Sequence, residues 1–360
     1  MKPSPQNKRD VRSLLRRLFG RLWTRPGTDF GPRRGSQTHV ILLDGTMSSL
    51  VPGMETNVGL TYRLVQEMGS QVSIFYEPGL QWQEWARFHA VVAGKGINGQ
   101  IRRSYGYLAS RYHDGDRIIL IGYSRGAFAA RSLAGIIDRI GLLEARHATE
   151  RNILQAYRHY EGAPDSPASR TFAARYCRKS VPIEMIGAYD TVKSLGINMP
   201  FLWRLSTARH AFHNHNLARD VKHGFHALAL DETRFVYRPL LWDCDVAGPQ
   251  RVEQVWFRGT HGDIGGQLGG RHASRPLANI PLVWMLDRAE EVGLPLPEGW
   301  RERFPQDVNA PSIGTWAGWG RMFITRRRRV MGHDRSERIH DSVQDAQGRV
   351  KSAARLAART

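Results

Sequence analysis

The chain has 360 residues, 41% of them hydrophobic, enough for a full core, and carries 52 Lys+Arg against 33 Asp+Glu for a net charge of +19. No apolar run is long enough to span a bilayer, no internal repeat marks a solenoid or propeller, and no apolar stretch with a small-residue cleavage site follows the basic N-terminus. The charge points to an anionic partner, a nucleic acid or an anionic membrane surface, in a chain expected to be made and kept soluble in the cytoplasm.

Residues 1–36 hold ten basic and two acidic residues. Within them Val11, Leu14, Leu15, Leu18, Phe19, Leu22 and Trp23 share one helical face, with arginines on the other. Such a helix can lie in a membrane interface; it can equally be a solvated arm or dock on the protein itself. Pro26, Gly27 and the stretch 31–35 read as a linker.

From His39 onward short apolar strands alternate with helical spacing, the pattern of an α/β fold with a mainly parallel sheet flanked by helices. Strands are expected at 40–43, 72–76, 117–122, 182–189 and 252–257, and helices at 57–68, 100–112, 125–140 and 281–292. Two stretches, about 144–180 and 196–245, break the alternation and read as helical cap insertions over the C-terminal edge of the sheet, where ligands bind in open α/β sheets. The catalytic domain then spans 37–310. The basic segment 311–360, with Arg326, Arg327, Arg328 and Arg329 consecutive, reads as a solvated or disordered face.

The third strand runs straight into Gly122-Tyr123-Ser124-Arg125-Gly126 and then a helix. This is G-x-S-x-G between strand and helix, the setting in which a serine stands exposed on a strained turn and small flanking residues avoid collision. A tight turn whose serine only caps the helix is the plainer alternative. A serine nucleophile needs a base, and the base an orienting acid; in α/β-hydrolases these follow in the order acid, then histidine, each at a strand's C-terminal end. Asp190 follows the strand ending at Tyr189, and His261 follows the strand ending at Phe257 in a glycine-rich loop. Asp263 is the runner-up acid, or a residue that orients the His261 loop. The oxyanion donors are expected to be the backbone N–H of Arg125 and that of Gly45 or Thr46, with Asp44 binding that loop or holding the Thr46 hydroxyl.

His210, His213, His215, His223 and His226 form a histidine-rich stretch, but no cysteine or carboxylate set completes a metal site, and packing within a cap is the expectation. His261-Gly262-Asp263 as metal ligands is likewise disfavoured. No phosphate-cradling or dinucleotide glycine pattern occurs, so no cofactor and no metal are expected. Cys177 and Cys244 fall in no ligand spacing and read as two buried thiols in a reducing compartment, with a disulfide between them as the alternative.

Asp44-Gly45-Thr46, Tyr76-Glu77-Pro78-Gly79, Gly115-Asp116-Arg117, the Gly122–Ala127 block, Tyr189-Asp190-Thr191-Val192, the run from His226 to Glu232, and Trp256 through Gly266 together resemble one bacterial and fungal α/β-hydrolase family, best known for the phospholipase effectors of type VI secretion. The resemblance covers roughly 39–290. It implies hydrolysis of phospholipid ester bonds, with Ser124, Asp190 and His261 on the family's triad positions. The chain departs from the family at Met47 and Ser48, where an aromatic and Asn are usual, and at Glu77, where Asp is usual. A lipase or phospholipase is therefore the expected function, with a lipid or ester substrate and an anionic membrane surface reached through residues 11–23. A soluble carboxylesterase or thioesterase, or a basic membrane- or nucleic-acid-binding protein on an inactive hydrolase fold, remain as alternatives. Export by a route without a signal peptide stays open.

Overall fold

Seven strands form one sheet in the order β2-β1-β3-β4-β5-β6-β8: β1 Thr38–Leu43, β2 Val72–Glu77, β3 Arg117–Tyr123, β4 Ile183–Tyr189, β5 Val221–Ala229, β6 Val252–Phe257 and β8 Glu337–Ile339. Every pairing within it is parallel. The computed structural model describes residues 35–79, 95–192, 216–244, 251–316, 323–343 and 355–356. The amphipathic stretch 11–23 lies outside them, as do His210, His213 and His215. Among the described residues no helix is long and apolar enough to cross a membrane.

Residues alternate between the two faces of each central strand, and both faces are covered, as parallel sheets require. Ile41, Leu43, Ile118 and Leu120 pack against helices α2 (Lys95–Arg111) and α3 (Arg125–Arg139). Val40, Leu42, Ile119 and Ile121 pack on the opposite face with Val58 and Val65 of α1 (Asn57–Gln66). Leu277, Ile280 and Met285 of a late helix, Arg275–Glu291, complete that layer. This is an α/β-hydrolase-like fold.

Four expectations change. The stretch 196–245 is not purely a cap, because β5 arises inside it as an interior strand of the sheet, with His223 and His226 upon it. The stretch 144–180 forms α4 (Glu150–Glu161) and α5 (Pro167–Tyr176), and Ala156, Tyr157, Tyr160 and Phe172 join the cluster that contains α2 and α3. It therefore thickens one flank of the sheet. The late helix begins at Arg275, six residues before Pro281, because Pro276 is the proline of its first turn and Pro281 lies within it. Finally, the domain does not end at 310: β8 extends the central sheet beside β6, and β7 (Val330–Met331) precedes it. Cys177 and Cys244 are free, and burial pushes the Cys177 thiol up to about 12.

Candidate active site

Register brings the strand ends level. Leu43 pairs with Gly122, Tyr123 with Tyr189, and Ala229 with Phe257, so the loops after β1, β3, β4, β5 and β6 open on one edge. Ser124 sits between β3 and α3 with φ 57° and ψ −118°, a conformation costly for a residue with a side chain. Close packing enforces it: a Cβ on Gly122 would lie 2.5 Å from the Gly126 carbonyl oxygen, and one on Gly126 would overlap the Leu43 carbonyl. The Ser124 N–H donates to the Tyr189 carbonyl at 2.9 Å, tying the turn to β4.

Asp190, also at positive φ (43°), is fully buried at the end of β4. His261 opens α6 (His261–Gly265), the short helix after β6. His261 Nε2 lies 2.9 Å from Ser124 Oγ, and Nδ1 lies 2.6 Å from Asp190 Oδ2. The tautomer that satisfies both contacts carries the proton on Nδ1, donated to the carboxylate, leaving Nε2 to accept from the serine hydroxyl.

A residue with no assigned role in the sequence completes this chain. Arg329 donates from Nη1 to Asp190 Oδ1 at 2.5 Å and from Nη2 to Asp190 Oδ2 at 2.9 Å, with its own side chain only 5% exposed. The Ala229 N–H donates to Asp190 Oδ1 at 3.0 Å. Burial alone would raise the Asp190 carboxyl, but the Arg329 charge and the hydrogen bonds from His261 and Arg329 outweigh it and hold the group well below the usual carboxylate range. The arginine run 326–329 is thus no uniformly solvated face: Arg327 and Arg328 are exposed, while Arg326 lies over the Trp316 ring at 3.9 Å.

The imidazole of His261 is held on both sides. Tyr237 stacks on it at 4.5 Å between ring centroids with 19° between planes, and Tyr123 lies 5.0 Å away on a tilt. Glu232, buried and paired with Arg234, accepts the His261 N–H at 3.1 Å, and Arg234 caps the Tyr237 ring. Asp263 orients the loop: its Oδ2 accepts from the Thr260 N–H and hydroxyl, both at 2.8 Å, and from Ser312 Oγ, while Oδ1 accepts from the Ile313 N–H. Asp190 and not Asp263 is the carboxylate on His261.

Asp44 fastens the loop after β1. Its Oδ1 accepts the Gly45 N–H at 2.7 Å, and its Oδ2 accepts the hydroxyls of Thr56 at 2.6 Å and Tyr76 at 2.8 Å. The hydroxyl it holds is that of Thr56, not Thr46; Thr46 Oγ1 is buried and has no hydrogen-bond partner among the described residues. The Gly45 N–H is already engaged, which leaves Thr46 as the candidate donor on this loop. At Arg125 the first-turn N–H of α3 has no acceptor within its own helix.

Residues 37–288 match the model of the type VI secretion system phospholipase effector Tle1-like catalytic domain. The chain belongs to this family. Among curated proteins it is 28% identical over 231 residues to the uncharacterized protein YEL023C of Saccharomyces cerevisiae, covering 56% of this chain and 32% of that protein. Two solved structures are similar at low overlap. One is an uncharacterized protein from Pseudomonas aeruginosa (TM-score 0.40, 16% identity, 84% of this chain and 53% of that one). The other is the Tle1 effector bound to the VgrG spike of the type VI secretion system (TM-score 0.36, 17% identity, 65% of this chain and 52% of that one). The chain spans about a third of the yeast protein and about half of each solved chain.

The Tle1-like match ends before Arg329 and β8, so the carboxylate's cationic partner comes from outside the matched residues. Sequence reasoning also passed over Tyr237, Glu232 and Tyr123. Glu232 stands in the block that carried the family resemblance, a signal that existed; nothing in the sequence separates Arg329 from its neighbours. His226 has partners at both ring nitrogens, Thr191 and Gln254. Its Nε2 accepts the Thr191 N–H at 3.1 Å, and desolvation, reinforced by Arg131, pushes it down to about 3, so it stays a neutral prop beneath the Asp190 turn. Among the described residues no group of three or more His, Cys, Asp or Glu is arranged to hold a metal ion.

Proposed function

We propose that this chain is a serine hydrolase that cleaves acyl ester bonds of phospholipids. The observation that carries the reading is the hydrogen-bonded line from Ser124 Oγ through His261 to Asp190 on a strained strand-to-helix turn. Ser124 Oγ attacks the ester carbonyl carbon while His261 Nε2 takes the hydroxyl proton. The oxyanion is met by the N–H groups of Arg125 and Thr46, and Asp190 offsets the charge on the imidazolium. Collapse expels the alcohol, which receives its proton from His261. Water then attacks the acyl-enzyme by the same route, releasing the fatty acid and restoring Ser124.

The family description supports a phospholipid, and so does the surface around the site. Val51, Met54, Phe235, Trp316 and Ile324 are exposed, the last at 87%, in the loops after β1 and β5 and in segments hydrogen-bonded to the β5 loop. Arg327 and Arg328 are exposed beside Ile324. An apolar rim with basic neighbours suits an anionic lipid interface. Basic residues of the stretch 11–23 would add about 1 kcal/mol each near such a surface.

The test is release of fatty acid from phosphatidylglycerol vesicles by the wild type and by Ser124→Ala. Release by the wild type that disappears in the variant is expected. Hydrolysis of short p-nitrophenyl esters with no release from vesicles would replace the phospholipid with a soluble ester, and an active Ser124→Ala protein would remove the nucleophile.

A further inference from the structure

We propose that Arg329, from the segment beyond the family-matched residues, is a positioning residue of this active site, gripping both oxygens of Asp190 so that Oδ2 stays on His261 Nδ1. The inference rests on the reading of Ser124, His261 and Asp190 as the catalytic line.

All four Nη hydrogens of the guanidinium have acceptors, as those of a fortuitous surface arginine do not. Nη1 donates to Asp190 Oδ1 and to the Ala229 carbonyl at 2.8 Å; Nη2 donates to Asp190 Oδ2 and to the Tyr237 carbonyl at 2.5 Å. Its acceptors therefore come from the end of β4, the end of β5, and the loop whose Tyr237 ring stacks on His261. One side chain links the acid, the neighbouring strand and the aromatic wall of the base. The planar fork suits this task in a way an ammonium does not. The position of Arg329 is itself fixed, because the Arg327 N–H donates to the Thr233 carbonyl and the Phe235 N–H to the Thr325 carbonyl.

Each Asp190 oxygen has two donors, and Arg329 supplies one to each; without it Oδ1 keeps the Ala229 N–H and Oδ2 keeps His261. A buried carboxylate so deprived is drawn towards its neutral form, which cannot offset an imidazolium. The other groups around this line do not replace the lost charge. His226, under the turn, is neutral; Glu232 is anionic and paired with Arg234; Tyr123 and Tyr237 cover the faces of the imidazole. Removal of Arg329 should therefore move the acid limb of activity to higher pH.

Hydrolysis of a soluble p-nitrophenyl ester is measured across pH for the full chain, for Arg329→Met, Arg329→Lys, Asp190→Asn, the Asp190→Asn/Arg329→Met pair, and the exposed control Arg158→Ala on α4. Arg329→Met is expected to lower kcat roughly 100-fold with KM changed less than about 3-fold. Its acid limb moves up, millimolar guanidinium restores part of the rate, and Arg329→Lys recovers part without added guanidinium. In the Asp190→Asn background Arg329→Met should cost little more, because it acts through that carboxylate. Arg158→Ala should match the wild type. A wild-type pH profile in folded Arg329→Met, or losses that multiply in the double variant, would overturn the proposal. If Arg329→Met does not fold, Arg329→Lys carries the same pH test, and an unmoved acid limb with wild-type kcat would overturn it. A wild-type protein inactive on every ester would overturn the catalytic reading and this inference with it; an active wild type with indifferent Arg329 variants would overturn this inference alone.

Discussion

Asp44 and Asp190 occupy corresponding places, each the first residue beyond a central strand, both fully buried at the same edge of the sheet. Burial pushes Asp44 up to about 6, because the partners that oppose it, Thr56, the Gly45 N–H, Tyr76 and Ser48, are neutral donors. At Asp190 burial acts in the same direction and is overcome by Arg329 and His261. Partner charge, not burial, decides which state each holds. A carboxyl that only fastens a loop can work with or without its proton, whereas one that must offset an imidazolium needs a charge that does not titrate near neutrality.

The largest effect expected from this contrast is that of Asp190→Asn, which should lower ester hydrolysis about 10³- to 10⁴-fold. It should also lower the melting temperature, since Arg329 becomes an unpaired buried cation. Next comes the ion pair itself. Arg329→Ala should cost roughly 3–5 kcal/mol in denaturant unfolding at neutral pH, because it leaves a buried carboxylate uncompensated. The Asp190 carboxyl is depressed in the folded state, so the stability it contributes is present above the unfolded-state value of about 4 and fades only as pH falls below that.

Asp44→Asn should behave in the opposite way. A carboxyl raised in the folded state contributes more stability as pH falls from above 6 towards 4, so the amide variant should lose that rise while changing neutral-pH stability by only about 1 kcal/mol. A pH-stability curve of this variant that parallels the wild type between those values would contradict the assignment. The smallest effect is that of Tyr76→Phe, which removes one donor to Asp44 and should cost about 0.5–1.5 kcal/mol in the same unfolding assay.

The same two regions show what a sequence can disclose. Ser124, Asp190 and His261 each directly follow or nearly follow a compact apolar strand, so period and punctuation single them out as candidates, and the structure brings the three together. Lys222, His223 and His226 interrupt the apolar run of β5, so the sequence places that stretch in a cap. Its interior position accommodates His226 only because Thr191 and Gln254 satisfy the imidazole, a pairing of residues 28 or more apart. Pro281 resembled a helix start, yet Pro276 performs that role. Arg329 was hidden for a different reason. Four consecutive arginines look alike in sequence, and only the third dimension aims one of them at a carboxylate 139 residues away. The Thr46 loop is an intermediate case: its place and a hold on it by Asp44 are legible, but that the hydroxyl Asp44 takes belongs to Thr56 rather than Thr46 is not.

The central claim is that Ser124 is an activated nucleophile, and its most direct measurement is covalent labelling with a fluorophosphonate probe followed by mass mapping of the adduct. The account predicts one labelled residue, Ser124, in the wild type, and loss of that label in both Ser124→Ala and His261→Ala. A folded wild type that stays unlabelled with anionic vesicles present, or a label that survives in His261→Ala at the wild-type rate, would contradict it.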